Sequence, residues 1–372
     1  MRKSIYAALI AASTFLMIQS CKKTGDSGTS TGSASFDRQG MLTNISTNII
    51  LPAYTSFQAD AAALDAAVIA FNATTNSTNL AALQLAFKAT YQQWQLTSVF
   101  ELGPTATATL RVNVNTYPTS VAQINSNITA GTYDPQILAN LSAKGLPALD
   151  YLLFGVGADN NAILLQYTTD SKAANRKAYL AALSAELKTE ATTVLTGWST
   201  YKTTFNNATG TDVGSSTGQL INQLVYDYET LKNLEIGIPA GVQSMGVTFP
   251  TKVQAYYSKM SVQLVLLHIQ AIENIYLGKS ALGDGLGLDD YLIKANAKYT
   301  DGTPLNTVIQ NQFAAAIAKL NVLTDPLSGN IQTNPAAVTA AYTELQKLTV
   351  LLKADMTSSL GILITFGDND GD

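Results

Sequence analysis

Apolar side chains recur at helical spacing along most of the chain from Phe36 onward. Leu83, Phe87, Tyr91 and Trp94 are separated by four, four and three residues, which places them on one face of a helix. Similar stripes run from Leu180 to Trp198, from Ile309 to Leu320 and from Ala341 to Leu352. A helix with one apolar face buries that face against other helices. The pattern therefore predicts an all-α fold.

Breaks in this pattern suggest how the helices are grouped. Residues 206–218 are rich in Gly, Ser and Thr, which is typical of a loop, and we place a domain boundary there. After it the pattern predicts helices over 219–236, 251–277, 304–323 and 335–358. Leu360–Phe366 has strand-like composition but is too short to change the class. We predict two up-and-down four-helix bundles, residues 36–210 and 211–372, packed together.

The N-terminus has the features of an export signal. Arg2 and Lys3 precede a mostly apolar run, Ile5 to Ile18, which is short for a membrane-spanning helix. Ile18-Gln19-Ser20-Cys21 is similar to a lipobox, so we predict a lipoprotein signal peptide over 1–20 and lipidation of Cys21. The alternative is an ordinary signal peptide with a stray thiol. Residues 21–35 are rich in Gly, Ser and Thr and are predicted to form a flexible tether.

Charge and cysteine content narrow the possible partners. Without residues 1–20 the chain has 20 basic and 26 acidic residues, a formal charge of −6, which argues against nucleic acid as a partner. Cys21 is the one cysteine, so acylation would exclude disulfides and a Cys nucleophile. We expect the membrane to be contacted through the lipid on Cys21, with the protein at the outer membrane, facing the periplasm or the cell surface. No cofactor is indicated.

Common catalytic motifs are missing from the sequence, and there is a single histidine, His268. It lies in a strongly apolar helical segment, one turn from Leu264 and from Ile272. We interpret it as a buried, hydrogen-bonded histidine, in preference to a metal ligand or an acid–base group.

The segment Lys144–Gly155 resembles a motif of the imelysin-like family. Members of that family carry Gly-x-His-x-x-Glu at the start of a helix, followed by aromatic-Leu-Leu-x-Gly. This chain keeps Gly145, Leu152, Leu153 and Gly155, but has Pro147 at the His position and Asp150 at the Glu position. The resemblance extends to Trp94–Pro104, Asn115–Pro118, Arg176 with Tyr179, Glu229–Pro239 and Tyr257–Gly278.

The resemblance implies two packed four-helix bundles with a functional site between them, and a role in bacterial iron or haem acquisition. It also implies a metallopeptidase, because one founding member gave its name to such a family. Proline has no side-chain atom that can bind a metal ion, so positions 147 and 150 cannot both supply ligands to one ion. We therefore predict that no metal binds here. Instead, we predict that a helix starts at this segment, with Pro147 and Asp150 in its first turn.

Our leading hypothesis is a lipid-anchored, non-catalytic protein that binds a ligand or partner in the cleft between the bundles. The residues expected to line that cleft are Glu101, Asn115, Tyr117, Gly145, Pro147, Asp150, Glu229 and Ser258. One alternative is a metal-dependent peptidase that uses carboxylates such as Glu101, Asp150, Glu229 and Glu235 as ligands. Another alternative is a scaffold for an outer-membrane transporter.

Overall fold

A computed structural model describes residues 35–367 of the protein. The predicted signal peptide, Cys21, nearly all of the predicted tether and residues 368–372 lie outside the described residues.

The first half of the described chain is helical, with short loops. Its longest helices are α2, α3 and α9. Its elements are α1 (Arg38–Asn44), a π-helical segment (Ile45–Ile50), α2 (Leu51–Ala73), α3 (Ser77–Gln95), α4 (Pro104–Thr107), α5 (Leu110–Asn115), α6 (Val121–Ala130), a 3₁₀ segment (Leu138–Ala143), α7 (Gly145–Asp150), a second π-helical segment (Tyr151–Gly155), α8 (Asn160–Thr168) and α9 (Ala173–Asn207).

The second half is also helical and contains one small hairpin. Its elements are α10 (Ser216–Thr230), a π-helical segment (Leu231–Gly237), a 3₁₀ segment (Pro250–Lys252), α11 (Ser261–Tyr276), β1 (Lys279–Ser280), β2 (Gly283–Asp284), α12 (Leu288–Lys294), α13 (Leu305–Leu320), α14 (Leu327–Thr333), α15 (Pro335–Val350), a π-helical segment (Leu351–Met356) and α16 (Thr357–Leu360). The two strands pair antiparallel. The all-α class is therefore confirmed.

Helix α3 shows how the sequence produces these elements. The side chain of Asn76 caps it by accepting a hydrogen bond from the backbone N–H of Asn79 at 2.8 Å. The four apolar residues of the predicted stripe, Leu83 to Trp94, are all buried. Helix α2 packs against both α3 and α9, and in the second half α13 packs against α15. None of the helices between residues 35 and 367 is long and apolar enough to cross a lipid bilayer.

The two halves are in contact with each other. The loop predicted at 206–218 is present, since α9 ends at Asn207 and α10 begins at Ser216. Helix α3 packs against α11, and the described residues from Phe36 onward form one compact unit. The division into two four-helix-bundle domains at this loop stays a prediction.

One predicted helix, 251–277, is wrong over its first ten residues. Helix α11 begins only at Ser261, and the preceding segment is irregular. Ala255 and Lys259 have φ of +50° and +60°, values that a right-handed helix does not contain. Because residues 253–260 do not form a helix, the backbone N–H groups of Tyr257 and Ser258 can donate to another part of the chain.

The run Leu360–Phe366 does not pair as a strand in the described structure. Leu360 ends α16, and the residues after it extend past α10. The Asn222 side chain donates to the carbonyl oxygen of Leu363 at 2.9 Å and accepts the backbone N–H of Thr365 at 2.8 Å. These bonds fix the C-terminal segment against α10.

Candidate functional site

Three of the predicted site residues line one cavity. Tyr117, Pro147 and Asp150 lie in the wall of a cavity of about 230 Å³. The remaining wall comes from residues that follow Tyr117 and from the irregular segment before α11: Pro118, Thr119, Thr251, Val253, Ala255, Tyr256 and Tyr257. The cavity therefore lies where the two halves of the chain meet.

Asp150 connects these two halves by hydrogen bonds. Its side chain is 2% exposed, and its two carboxylate oxygens accept the backbone N–H groups of Tyr257 and Ser258, each at 2.9 Å. Burial raises the pKa of Asp150 to about 6, while hydrogen bonds from Ser258 and Tyr257 oppose that rise. Ser258, another predicted site residue, thus reaches the site through its backbone.

The prediction that Asp150 lies in the first turn of its helix is wrong. Asp150 is the last residue of α7, and no acidic side chain lies in the first turn of that helix. A π-helical segment, Tyr151–Gly155, continues directly from it, and such segments are frequent at functional sites. The carboxylate is therefore placed for a contact with the distant segment, and does not interact with the dipole at the start of α7.

Two glycines of the family motif are explained by close contacts. Gly145 has φ of +67°, and a Cβ on it would lie 2.3 Å from the carbonyl oxygen of Val114. A Cβ on Gly155 would lie 2.5 Å from the ring of Tyr257. Both positions need a residue without a side chain, so these glycines let α7 approach the segments that carry Tyr117 and Tyr257.

The residues at 147 and 150 do not fit a metal ion. Pro147 is buried and has no donor atom, and both oxygens of Asp150 already accept backbone hydrogen bonds. In residues 35–367, no three His, Cys, Asp or Glu side chains are placed so that they could hold one ion. Positions 147 and 150 therefore do not supply a pair of free metal ligands, and the absence of a metal site stays a prediction.

The other predicted residues have different surroundings. The Asn115 side chain accepts a hydrogen bond from the hydroxyl of Tyr91 at 2.7 Å. Glu229 lies away from the cavity wall and forms an ion pair with Lys353 at 2.7 Å. Glu101 lines a second cavity, together with residues of α10 and Phe366. The structure therefore does not bring Glu101 or Glu229 to the cavity that contains Asp150.

A buried cluster of charged residues was not predicted from the sequence. His268 is 1% exposed, its Nε2 lies 2.6 Å from Asp227 Oδ2, and its Nδ1 lies 2.8 Å from Glu235 Oε1. Arg111 forms an ion pair with the other oxygen of Asp227 and donates to the Ser98 carbonyl oxygen at 2.7 Å. The interpretation of His268 as buried and hydrogen-bonded is confirmed, and its partners are carboxylates.

The charges of this cluster hold one another in their ionised forms. Burial acts to lower the pKa of His268, but Asp227 and then Glu235 outweigh it and raise the pKa to about 10. Burial acts to raise the pKa of Asp227, but Arg111 and then His268 lower it to about 2. His268 is thus a cation at neutral pH, and both of its N–H groups face carboxylates. It has no free ring nitrogen to act as a base or a metal ligand.

Tyr117 connects the cavity with this cluster. Its hydroxyl is buried and has no hydrogen-bond partner in the described structure, and the same holds for Oε2 of Glu235. Burial, followed by the charge of Glu235, raises the pKa of Tyr117 well above its usual range. The phenol is therefore neutral and has an O–H to donate. A buried polar atom without a partner is expected to be satisfied by water or by a ligand.

A signal for the cluster was present in the sequence. Asp227 lies at the spacing of the apolar stripe formed by Leu220, Leu224 and Leu231 on one helix face. A charged residue in such a stripe must find a partner when the face is buried. The partner Arg111 had no comparable signal, because it lies in a short helix with little apolar pattern.

Comparisons with known proteins place the chain in a structural context. The family model of imelysin, peptidase M75, matches residues 50–353. A solved structure described as an iron-regulated protein A precursor from Parabacteroides distasonis ATCC 8503 is similar, with a TM-score of 0.72 and 17% identity, over 87% of this chain and 95% of that one. An imelysin-like protein from Psychrobacter arcticum 273-4 is also similar, with a TM-score of 0.67 and 19% identity, over 89% of this chain and 97% of that one. No curated protein sequence matches the chain at a significant level.

Proposed function

Because the chain belongs to the imelysin family, we propose that it is a lipid-anchored cell-envelope protein that serves iron or haem acquisition by binding a ligand or partner, without catalysing a reaction. The binding site in this proposal is the cavity lined by Tyr117, Pro147 and Asp150. The observation that carries it is that Tyr117, Pro147 and Asp150 line one cavity, and that the neutral hydroxyl of Tyr117 is buried without a partner in the described structure.

The iron assignment is supported by likeness to other proteins. The similar protein from Parabacteroides distasonis is described as iron-regulated. The motif around Gly145 also resembles that of a family implicated in iron or haem uptake.

The absence of catalysis is supported by the residues at the motif. Peptide hydrolysis by a metal ion requires several protein ligands and an open coordination position. Pro147 supplies no ligand, and Asp150 is engaged by the N–H groups of Tyr257 and Ser258. The geometry thus favours recognition over hydrolysis.

The size of the cavity favours a small iron species. Sites that enclose a drug-sized ligand usually measure about 300–1,000 Å³. The cavity here, at about 230 Å³, is smaller, so a whole haem would have to bind mostly outside it. A small ferric chelate, or one side chain of a protein partner, fits this volume better.

Calorimetric titration of the full-length protein with ferric citrate and with haem tests the proposal. We expect ferric citrate to bind, and Tyr117→Phe to weaken its binding by about tenfold, because a hydrogen bond to a charged ligand contributes about 1.5–3 kcal/mol. Tyr299→Phe is the matched control, because Tyr299 is a half-buried tyrosine that does not line the cavity. If neither ferric citrate nor haem binds, the iron assignment is contradicted.

Two other functions predict different results. A metal-dependent peptidase would cleave unstructured peptides and lose that activity in a chelator. A scaffold would bind an outer-membrane transporter with no ferric citrate or haem present, and Tyr117→Phe would leave that binding unchanged.

The lipid anchor and the outer-membrane location are proposals of their own, carried by Cys21 in its lipobox-like context. Cells fed radiolabelled palmitate should label the wild-type protein and not Cys21→Ala. The variant should also leave the outer-membrane fraction. Labelling that persists without Cys21 would show that the anchor is elsewhere.

A further inference from the structure

A second, larger cavity lies next to Arg111 of the charged cluster, which contacts Glu101 and Tyr226 in the cavity wall. It measures about 460 Å³, within the usual range for a ligand site. Four separate parts of the chain form it: residues 101–106, Val213 in the loop before α10, helix α10, and Thr365 with Phe366 near the C-terminus. The polar and aromatic side chains in its wall include Glu101, Gln219, Gln223, Tyr226 and Phe366.

We propose that this second cavity binds an uncharged, hydroxyl-rich ligand, such as one sugar unit of a saccharide. The proposal concerns a different cavity from the one assigned to iron and does not depend on that function.

The walls of the cavity are held in place by the rest of the structure. The hydrogen bonds of Asn222 to Leu363 and Thr365 fix the segment that carries Phe366. The rings of Phe366 and Tyr226 then meet edge to face, with centroids 5.4 Å apart and an interplanar angle of 83°. Such a pair is a favourable aromatic contact, so both rings are positioned before a ligand arrives.

The charges around the cavity disfavour an organic cation. Aromatic rings attract cations over their faces. Here Lys353 already lies 5.3 Å from the centre of the Phe366 ring, and Arg111 lies 5.9 Å from the centre of the Tyr226 ring. A cationic ligand would therefore find both rings already in contact with a cationic side chain.

An anionic ligand is disfavoured as well. Arg111 is paired with Asp227, and Lys353 is paired with Glu229, so both positive charges are balanced. Among the described residues that line the cavity, Glu101 is the one with an ionisable carboxyl group, and none is Lys or Arg. The surroundings of the cavity therefore favour an uncharged ligand.

The polar groups in the wall match hydroxyls. The Nε2 of Gln223 is buried without a hydrogen-bond partner in the described structure, so it is a donor in need of an acceptor. The Glu101 carboxylate accepts the backbone N–H of Arg111, at 3.2 and 3.4 Å, and retains lone pairs for a ligand. A hydroxyl both donates and accepts, and neighbouring hydroxyls on a sugar ring can use both groups. The rings of Tyr226 and Phe366 offer apolar surface for its C–H groups.

Saturation-transfer NMR on the full-length protein, in a detergent without sugar headgroups, tests the proposal. The probes are glucose, galactose, mannose and cellobiose, with choline as the cationic probe and glucuronate as the anionic probe. We expect a neutral sugar to bind with millimolar affinity. Gln223→Ala and Tyr226→Ala should each weaken its binding by about tenfold or more, the equivalent of about 1.4 kcal/mol.

Both variants are chosen so that a loss of binding does not result from unfolding. Gln223 Nε2 makes no hydrogen bond, and Tyr226 is 45% exposed, so neither change should unfold the protein, which circular dichroism would verify. Gln263→Ala, at an exposed glutamine of α11, is the matched control and should bind as the wild type does. The proposal is overturned if none of the neutral sugars binds, if choline or glucuronate binds more tightly, or if Gln223→Ala binds the sugar unchanged.

Discussion

Asp150 and Asp227 are both almost completely buried, at 2% and 0% exposure, yet their pKa values are shifted in opposite directions. Asp150 faces two neutral backbone amides, and burial raises its pKa to about 6. Asp227 faces Arg111 and His268, and these cations lower its pKa to about 2 in spite of burial. The charge of the partners, and not the degree of burial, decides whether a buried carboxylate stays ionised.

This difference separates the pH ranges in which the two regions affect stability. The native pKa of Asp150 lies above its unfolded value of about 3.9, so its contribution is fully present below pH 4 and is lost as the pH rises to about 6. The native pKa of His268 is also raised, so its contribution is present below about pH 6.5 and is lost as the pH rises to about 10. The contribution of Asp227 is present above about pH 4 and is lost as the pH falls toward 2.

The largest expected effect comes from breaking the charged cluster. Asp227→Ala leaves His268 and Arg111 without their shared carboxylate, and removing one member of a buried ion pair costs about 3–5 kcal/mol. Urea denaturation should show this loss in the free energy of unfolding. Asp284→Ala, at an exposed aspartate, should change it by less than about 0.5 kcal/mol. Equal stability of the two variants would mean that the cluster does not support the fold.

Removal of the Asp150 carboxylate should have a smaller effect. Asp150→Ala leaves the N–H groups of Tyr257 and Ser258 without an acceptor, at about 1–3 kcal/mol each, but it also relieves the burial of a charge. We expect a net loss of about 3 kcal/mol at neutral pH.

Amide hydrogen exchange provides the specific readout for that variant. Exchange at Tyr257 and Ser258 should accelerate in Asp150→Ala and remain slow in the wild type. Unchanged protection of both amides would show that Asp150 does not hold the segment before α11.

The pH dependence of stability sharpens the comparison further. Between pH 4 and pH 6 the wild type should lose about 2 kcal/mol relative to Asp150→Asn, because each unit of pKa shift corresponds to about 1.4 kcal/mol. Denaturation series of both proteins at several pH values would measure the difference. Between pH 4 and pH 6, the free energy of unfolding of His268→Gln should change with pH as that of the wild type does. Between pH 6.5 and pH 10 the variant should lack the decrease that His268 causes in the wild type. A wild-type curve parallel to that of Asp150→Asn would contradict the raised pKa of Asp150.

The smallest effect is expected at Tyr117. Its hydroxyl has no partner, so Tyr117→Phe should lower the free energy of unfolding by less than about 0.5 kcal/mol. Tyr91→Phe is the comparison, because it removes a hydrogen bond to Asn115 and should cost about 1 kcal/mol. Thermal denaturation of the two variants would distinguish them. A larger loss for Tyr117→Phe would mean that its hydroxyl is satisfied inside the protein.

Much of the fold could be predicted because helical periodicity is local. The apolar stripe from Leu83 to Trp94 identified α3, and the Gly/Ser/Thr-rich run at 206–218 identified the loop before α10. The apolar surroundings of His268 identified it as buried. The start of α11 was placed ten residues too early, because apolar spacing does not show where an irregular backbone replaces a helix.

Less of the candidate site could be predicted. The resemblance of Lys144–Gly155 to a family motif pointed to Pro147 and Asp150, and that of Asn115–Pro118 pointed to Tyr117. The structure brings these three residues to one cavity. It does not bring Glu101 and Glu229 there, because the motif resemblance does not show which way each side chain faces. Glu101 lines the second cavity, and Glu229 pairs with Lys353.

The sequence by itself determined the helical class, the place of the loop between the halves, and the loss of a histidine donor at Pro147. These follow from side-chain chemistry and from spacing within a few turns of helix. Only the tertiary structure decided which groups surround each carboxylate. Asp150 meets backbone amides 107 and 108 residues away, and Asp227 meets a histidine 41 residues away, and these distant pairings set the charge on each carboxylate.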